Sequence, residues 1–307
     1  MSNASGNTYI GIDLGGTKIE GAVVHENGEV VERTRIAAPQ GSYDETLNAI
    51  AGLVGIISPG ETSTKPVGIG VPGSLSPATG LMRNANSTWL NGHPLDQDLS
   101  DLMGRPVRIA NDANCFTLSE GVDGAGAGAN IVFGVILGTG VGGGITVQGQ
   151  LLTGLNAIAG EWGHNPLPWP RDDERPGPKC YCGRRGCIET WLSGPGFNKT
   201  LGETDDSKLV SLNIESYYKQ GNRSAIRGLE AYADRAARAL GQVINILDPE
   251  VIVLGGGLSN LSPLYDLIPP RLVPYVFSDV IRTRIVPNVH GDSSGVRGAA
   301  WLWRDAP

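Results

Sequence analysis

The sequence predicts an α/β protein made of two related halves, and three observations carry that prediction. Short apolar runs alternate with stretches of helical apolar spacing along the 307 residues. A strand, glycine-rich turn, strand layout at residues 9–25 recurs at 131–148. Many of the 45 glycines directly follow apolar runs, where a missing side chain lets backbone approach a ligand closely.

In chain order, the apolar run Tyr9–Leu14 ends at Gly15-Gly16-Thr17-Lys18, and Ile19–His25 resumes as a strand. Glu26-Asn27-Gly28-Glu29 reads as a hairpin turn into a third strand, Val30–Ala37. Leu47, Ile50, Leu53, Val54 and Ile57 give Tyr43–Ile57 a helical apolar face. Val67–Val71 is a buried-type strand ending at Pro72-Gly73, followed by a helix over Asp98–Met103, a strand over Val107–Ala110 and a helix over Ala113–Glu120. The second half opens with the strand Ile131–Leu137, a glycine turn over Gly138–Gly144 and a strand over Ile145–Gln148. Helices are expected over Ser207–Lys219 and Ser224–Leu247. Val251–Leu254 is a strand running into Gly255-Gly256-Gly257, which opens a helix. A helix around Pro263–Val276, a strand near Arg284–Pro287 and a last helix over Val296–Trp303 complete the chain. Residues 1–118, completed by 292–307, form the smaller expected domain and residues 119–291 the larger one. A ligand is expected in a cleft between them, where the glycine turns converge.

Composition narrows the function. Lys and Arg number 24 against 31 Asp and Glu, a net −7 with no basic run, which disfavours a nucleic-acid partner. No stretch approaches the ~20 apolar residues of a membrane span, and the N-terminus lacks a signal-peptide layout. Met1–Asn7 is a small, polar lead-in. The expected setting is the cytoplasm.

Between Glu161 and Glu189 the chain concentrates unusual chemistry. Cys180, Cys182 and Cys187 fall within eight residues, and His164 precedes them. One His and three Cys form a closed ligand set for structural Zn²⁺; a disulfide is the alternative, although Cys180 and Cys182 are poorly placed to pair. Glu161 and Glu189 frame the segment and are not needed for the metal. Asp13-Leu-Gly-Gly-Thr-Lys18 can offer backbone N–H groups, a hydroxyl and a lysine charge to phosphate, or be a plain hairpin. Leu137-Gly138-Thr139-Gly140-Val-Gly-Gly-Gly144 is the same device, and Leu254-Gly255-Gly256-Gly257-Leu-Ser259 is a third glycine turn. No GxxxxGK[ST] loop is present, and the first turn leads into a strand, unlike a dinucleotide fingerprint. Asp112 reads equally as a helix N-cap or as a base at a strand end. Cys115, Trp301 and Trp303 read as core residues, and His25 and His93 as surface loop residues without a partner pattern.

This combination resembles the ROK sugar kinases of the actin-like ATPase superfamily, from Ile10 to Trp303. DLGGTK and LGTGVGGG match the family's phosphate motifs, LGGGLS its adenosine segment, and ExGH with CxCGxxGCxE its zinc-and-sugar signature. Asn84–Asn91, Asn111–Asn114 and His290–Gly298 look most like bacterial fructokinases that also accept mannose; His290 has no assigned role.

The resemblance implies a two-lobed, ribonuclease H-like fold with an interlobe active-site cleft and a zinc-binding loop. It implies ATP-dependent phosphorylation of the 6-hydroxyl of a hexose, fructose first and mannose second. The alternatives are an N-acetylglucosamine kinase or glucokinase, and more remotely a sugar-sensing ROK repressor. The repressor would need an N-terminal helix-turn-helix, for which a first strand near residue 9 leaves no expected room. Asp112 matches the catalytic base. Gly73, Asn84, Asn111, Asp112, Glu161, His164 and Glu189 match sugar-contacting positions. Asp13, Gly15, Gly16, Thr17 and Lys18 match ATP positions, as do Gly138, Thr139, Gly140 and Gly255, Gly256 and Gly257. Asp13 is the expected Mg²⁺ ligand, Zn²⁺ the expected structural ion, and a homodimer the expected assembly.

Overall fold

A computed structural model describes residues 6–59, 65–204, 206 and 208–304. Most of the Met1–Asn7 lead-in lies outside them. In chain order the elements are β1 (Thr8–Leu14), β2 (Lys18–His25), β3 (Val30–Ala37), α1 (Tyr43–Ile57), β4 (Val67–Val71), β5 (Ser74–Leu75), β6 (Met82–Arg83), α2 (Leu95–Met103), β7 (Val107–Asn111) and α3 (Asp112–Val122). There follow β8 (Ile131–Leu137), β9 (Val141–Val147), β10 (Gln150–Leu151), α4 (Glu189–Leu192), α5 (Gly194–Gly202), α6 (Ile214–Lys219) and α7 (Arg223–Leu247). The last elements are β11 (Val251–Gly255), α8 (Leu264–Arg271), β12 (Arg284–Pro287) and α9 (Ser294–Trp301).

Two five-stranded sheets repeat one topology. The first runs β3-β2-β1-β4-β7 and the second β10-β9-β8-β11-β12. In each, an antiparallel hairpin (β1–β2, β8–β9) is continued by two parallel strands. All five residues of β4 and of β11 are buried, as expected of parallel strands covered on both faces. β3 exposes Glu32, Arg33 and Arg35, charges that suit a sheet edge.

The chain divides into two compact units, Met1–Gly124 with Gln150–Ala159 and Asp292–Pro307, and Ala125–Gly149 with Gly160–Gly291. The first unit has a core of Ile10, Ile12, Ile50, Val67, Ile69 and Leu99. α9 packs closely there: a Cβ added at Gly11, Gly68 or Gly298 would overlap the carbonyl of Val296, Ala299 or Cys115 respectively. In the second unit α7 is the central helix. Asn222 caps it through Ala225 N–H at 3.0 Å, and Leu229, Tyr232, Ala236, Leu240 and Ile244 sit in the core. Burial of each large side chain is worth about 1.5–3 kcal/mol. Tyr232 also donates to Leu192 O at 2.8 Å, tying α7 to α4.

Several expected elements are corrected. Gly142–Gly144 lie in β9, pairing with Ile136–Gly134, so the turn closes at Gly140. A glycine is required inside this strand because a Cβ at Gly143 would sit 2.8 Å from the Trp162 ring. Gly257–Asn260 forms a 3₁₀ turn in place of an opened helix. Only Ile214–Lys219 of the expected Ser207–Lys219 helix is helical, and Ser207 lies outside the described residues. α8 is shorter than expected and carries Pro269 and Pro270 in its last turn. The β5–β6 hairpin, α4 and α5 had no counterpart in the sequence reading; α5 carries Pro195 in its first turn, where proline is tolerated.

Candidate active site

In the first unit the β1–β2 hairpin carries Asp13 at its strand end and closes with Gly15 N–H on Lys18 O at 3.0 Å. Gly16, Thr17 and Lys18 are exposed, and a Cβ at Gly16 would meet nothing, so the turn leaves room above it. Gln40 braces it from β3's far end, its Nε2 donating to Gly16 O at 2.6 Å. Burial pushes the Asp13 carboxyl up to about 7, helped by the Asp112 and Glu20 carboxylates and opposed by Lys18 and Arg35. Asp13 is therefore a carboxyl that gains from a cation placed beside it. Strand register explains the neighbour: Glu20 pairs with Asp13 across the hairpin and with Arg35 across the next. Arg33 and Arg35 each donate to it at 2.5 Å. This charged group was missed in the sequence, where hairpin register alone would have aligned it.

Asn111 and Asp112 stand where β7 becomes α3. Asn111 is the N-cap, accepting from Ala113 N–H at 2.9 Å and donating to Gly73 O at 3.2 Å. The helix cap read for Asp112 thus belongs chiefly to its neighbour, while exposed Asp112 accepts the same N–H at 2.8 Å through Oδ1. Gly73 has φ +87, and its Cβ position would overlap Arg83 O and lie 2.7 Å from Ala85 N, the backbone flanking Asn84. Asn84 itself has φ +59 and is exposed. The structure therefore gathers Gly73, Asn84, Asn111 and Asp112 into one cluster.

In the second unit the turn after β8 closes with Gly138 N–H on Gly140 O at 3.0 Å. Gly256, at φ +79, lies against Leu137 O at 2.5 Å from its Cβ position, so Gly255–Gly257 adjoin the Gly138–Gly140 turn. Glu189, the first residue of α4, accepts from Val141 N–H at 3.1 Å. Its other oxygen is 3.9 Å from Cys180 Sγ. Glu161 is exposed just before the 3₁₀ turn Trp162–His164.

His164, Cys180, Cys182 and Cys187 converge, their ligand atoms all within 4.8 Å of one another. Leu167 N–H bonds Gly186 O and Ile188 N–H bonds Asn165 O, both at 2.9 Å, which lays the histidine's segment beside Cys187. Cys180 N–H on Arg184 O at 2.8 Å folds the cysteine loop back on itself. Cys182 and Cys187 Sγ are 3.6 Å apart and all four cysteines are free, so the disulfide alternative fails. Tetrahedral zinc with bonds of about 2.3 Å spaces its sulfurs about 3.8 Å apart, so this donor set could hold the ion. His164 Nδ1 lies 3.6 Å from Cys180 Sγ, and Nε2 lies 2.9 Å from the Tyr181 hydroxyl. The second nitrogen of His164 thus already has a protein partner. Tyr181 was missed because no sequence pattern marks it.

Behind the loop, Glu174 is buried and takes two bonds from Arg238 and one from Arg235, each 2.8 Å. Arg238 also holds Trp169 O at 2.9 Å. The other histidine expectations are revised too: half-buried His25 ends β2 and accepts the Asn27 N–H at 3.3 Å, and His93 stacks on Tyr43 at 3.9 Å between rings. Cys115 and Trp301 are buried as expected, and Arg108 lies over the Trp303 ring at 3.9 Å.

The sequence profile of the ROK family matches residues 9–306. The chain belongs to the ROK family. This ROK protein is 40% identical over 309 residues to an N-acetyl-D-glucosamine kinase of Haemophilus influenzae (strain 86-028NP), covering 96% of this chain and 99% of the relative. A Pectobacterium atrosepticum N-acetyl-D-glucosamine kinase is also 40% identical, with 96% and 98% covered. Among solved structures, the ROK hexokinase from Thermus thermophilus superposes with a TM-score of 0.85 at 25% identity, covering 98% of this chain and 100% of that one. A ROK family glucokinase from Streptomyces griseus, in complex with glucose and AMPPNP, gives 0.76 at 28% identity over 98% and 100%. The two sequence relatives favour the N-acetylglucosamine alternative over the fructokinase expected from the motif details of this ROK chain. No helix among the described residues is long and apolar enough to cross a membrane.

Proposed function

We propose that this ROK protein is an ATP- and Mg²⁺-dependent kinase that phosphorylates the 6-hydroxyl of N-acetyl-D-glucosamine. The observation that carries the substrate is 40% identity over 96% of the chain to a protein bearing that activity in its name. Asp112, exposed at the β7–α3 junction, supports transfer chemistry over simple binding. In this reading the Asp112 carboxylate orients the sugar hydroxyl and takes its proton as the phosphoryl group leaves ATP. Glu161 and Glu189 accept hydrogen bonds from other sugar hydroxyls, since each carboxylate has several acceptor sites. Asn111, through Gly73, holds the Gly73–Asn84 side of the pocket, and Asn84 contacts the sugar.

The backbone of Gly15–Lys18 and of Gly138–Gly140 cradles phosphate, Gly255–Gly257 borders the adenosine, and Asp13 holds Mg²⁺ directly or through water. When bound, that ion neutralises charge on the nucleotide phosphates. Zn²⁺ on His164, Cys180, Cys182 and Cys187 stays outside the reaction and fixes the loop from which Glu189 projects. His164 serves the metal, its other nitrogen being held by Tyr181.

The test is ADP release from Mg·ATP with N-acetylglucosamine, fructose, mannose and glucose in turn. The highest kcat/KM is expected with N-acetylglucosamine; a higher value with fructose would return the assignment to a fructokinase.

A further inference from the structure

The second unit holds a cavity of about 550 Å³ that the proposed reaction does not use, within the size range of metabolite pockets. It is bounded by the loop before Cys180, by α4 and α5, and by Arg235 of α7. Its inner wall is made of Arg235 and Trp191, only 8% and 9% exposed. The guanidinium lies over the indole at 4.4 Å, which sets its plane. Arg235 Nε donates to Glu174 and Nη1 to Thr200 Oγ1, at 2.8 and 2.9 Å, so the group is anchored from behind. The buried Trp191 indole N–H has no acceptor among the described residues, an uncommon state for a donor in a folded core.

The rim adds three exposed cations, Lys179, Arg185 and Lys199. Asp173 and Glu203 also line the cavity and Arg235 is already paired with Glu174, leaving three rim cations against two carboxylates. That local excess runs against the chain's net −7. We propose that this cavity binds a phosphorylated small metabolite, its phosphoryl group held by the rim cations and its organic body directed toward Trp191 and Arg235. A neutral sugar has no use for three rim cations, and inorganic phosphate alone would leave most of the volume unfilled. Thr190 and Trp191 line the cavity and directly follow Glu189, so an occupant bears on the helix turn that presents Glu189. That consequence for the sugar rests on the kinase reading; the site itself does not.

Calorimetric titration of the full chain, with N-acetylglucosamine saturating, tests the site using glucose 6-phosphate, 3-phosphoglycerate and inorganic phosphate. At least one phosphate ester is expected to bind saturably and more tightly than inorganic phosphate. Its affinity should fall about tenfold in Lys199→Glu, with loss of one charge-assisted contact. Lys208→Glu, an exposed lysine outside the cavity, should leave it unchanged. No saturable binding by either ester, equal loss in both variants, or inorganic phosphate matching the esters would each overturn the proposal. An absence of ADP release with every sugar would sink the kinase reading while leaving these heats to stand.

Discussion

The Glu189 carboxylate accepts the Val141 N–H at 3.1 Å, joining the first residue of α4 to the strand that leaves the second glycine turn. One oxygen is therefore committed to positioning, and the carboxylate's remaining acceptor sites are those available to a sugar hydroxyl. Glu189→Gln keeps a carbonyl for Val141 while losing the charge. It is expected to raise the sugar KM by about ten- to a hundredfold with little change in Tm. Glu189→Ala should add about 1–2 kcal/mol of destabilisation. An unchanged KM in both variants would remove Glu189 from the sugar site.

Asp112→Asn should leave the α3 cap in place, because Asn111 supplies it. Turnover is expected to drop about 10²–10⁴-fold, with N-acetylglucosamine affinity within about threefold of wild type by calorimetry. Wild-type turnover in this variant would show that another group takes the proton.

Cys182→Ser should lose the bound metal, lower Tm and weaken sugar affinity together, since the loop that carries Glu189 would be released. Elemental analysis of the unmodified protein is expected to find about one zinc per chain. A metal-free protein with full activity contradicts the zinc assignment.

Glu174 gives a pH signature. Burial by itself would raise its carboxyl, but hydrogen bonds from Arg238, Arg235 and the Arg171 N–H outweigh it and hold the group down at about 2, from an ordinary 4.5. The folded state therefore keeps the charge when the unfolded chain has taken up a proton. This contribution is fully present above about 4.5 and is lost as pH falls toward about 2. Glu174→Gln should cost about 3–5 kcal/mol at neutral pH by leaving Arg238 partly uncompensated. The gap between wild type and variant in urea denaturation should narrow below pH 4.5. A gap that stays constant down to the acid limit would mean that the carboxylate charge is not what holds α7 to the loop.

Much of the architecture was legible because it depends on local pattern. Five consecutive small or apolar residues made Val67–Val71 a strand, and the 3.6-residue spacing of Leu47, Ile50, Leu53 and Val54 made α1 a helix. Glycine was the misleading letter. Gly142–Gly144 read as a turn by composition but were drawn into β9 by pairing with β8. In the site, residue types and motif order were readable at Asp13, Asp112 and the Cys/His set. The committed atoms of Asn111 and the Tyr181 partner of His164 were not, because neither follows from spacing.

By itself the sequence determined the duplicated α/β plan, the glycine turns, the His and Cys ligand set and membership of the ROK family, all properties of residue type and order along the chain. Only the tertiary structure decided that Glu189 holds Val141 and that Glu174 meets Arg238 across 64 positions. It also built a cationic cavity around Trp191. Such pairings are selected by which faces pack and which buried polar groups must find partners, and no local period encodes that choice.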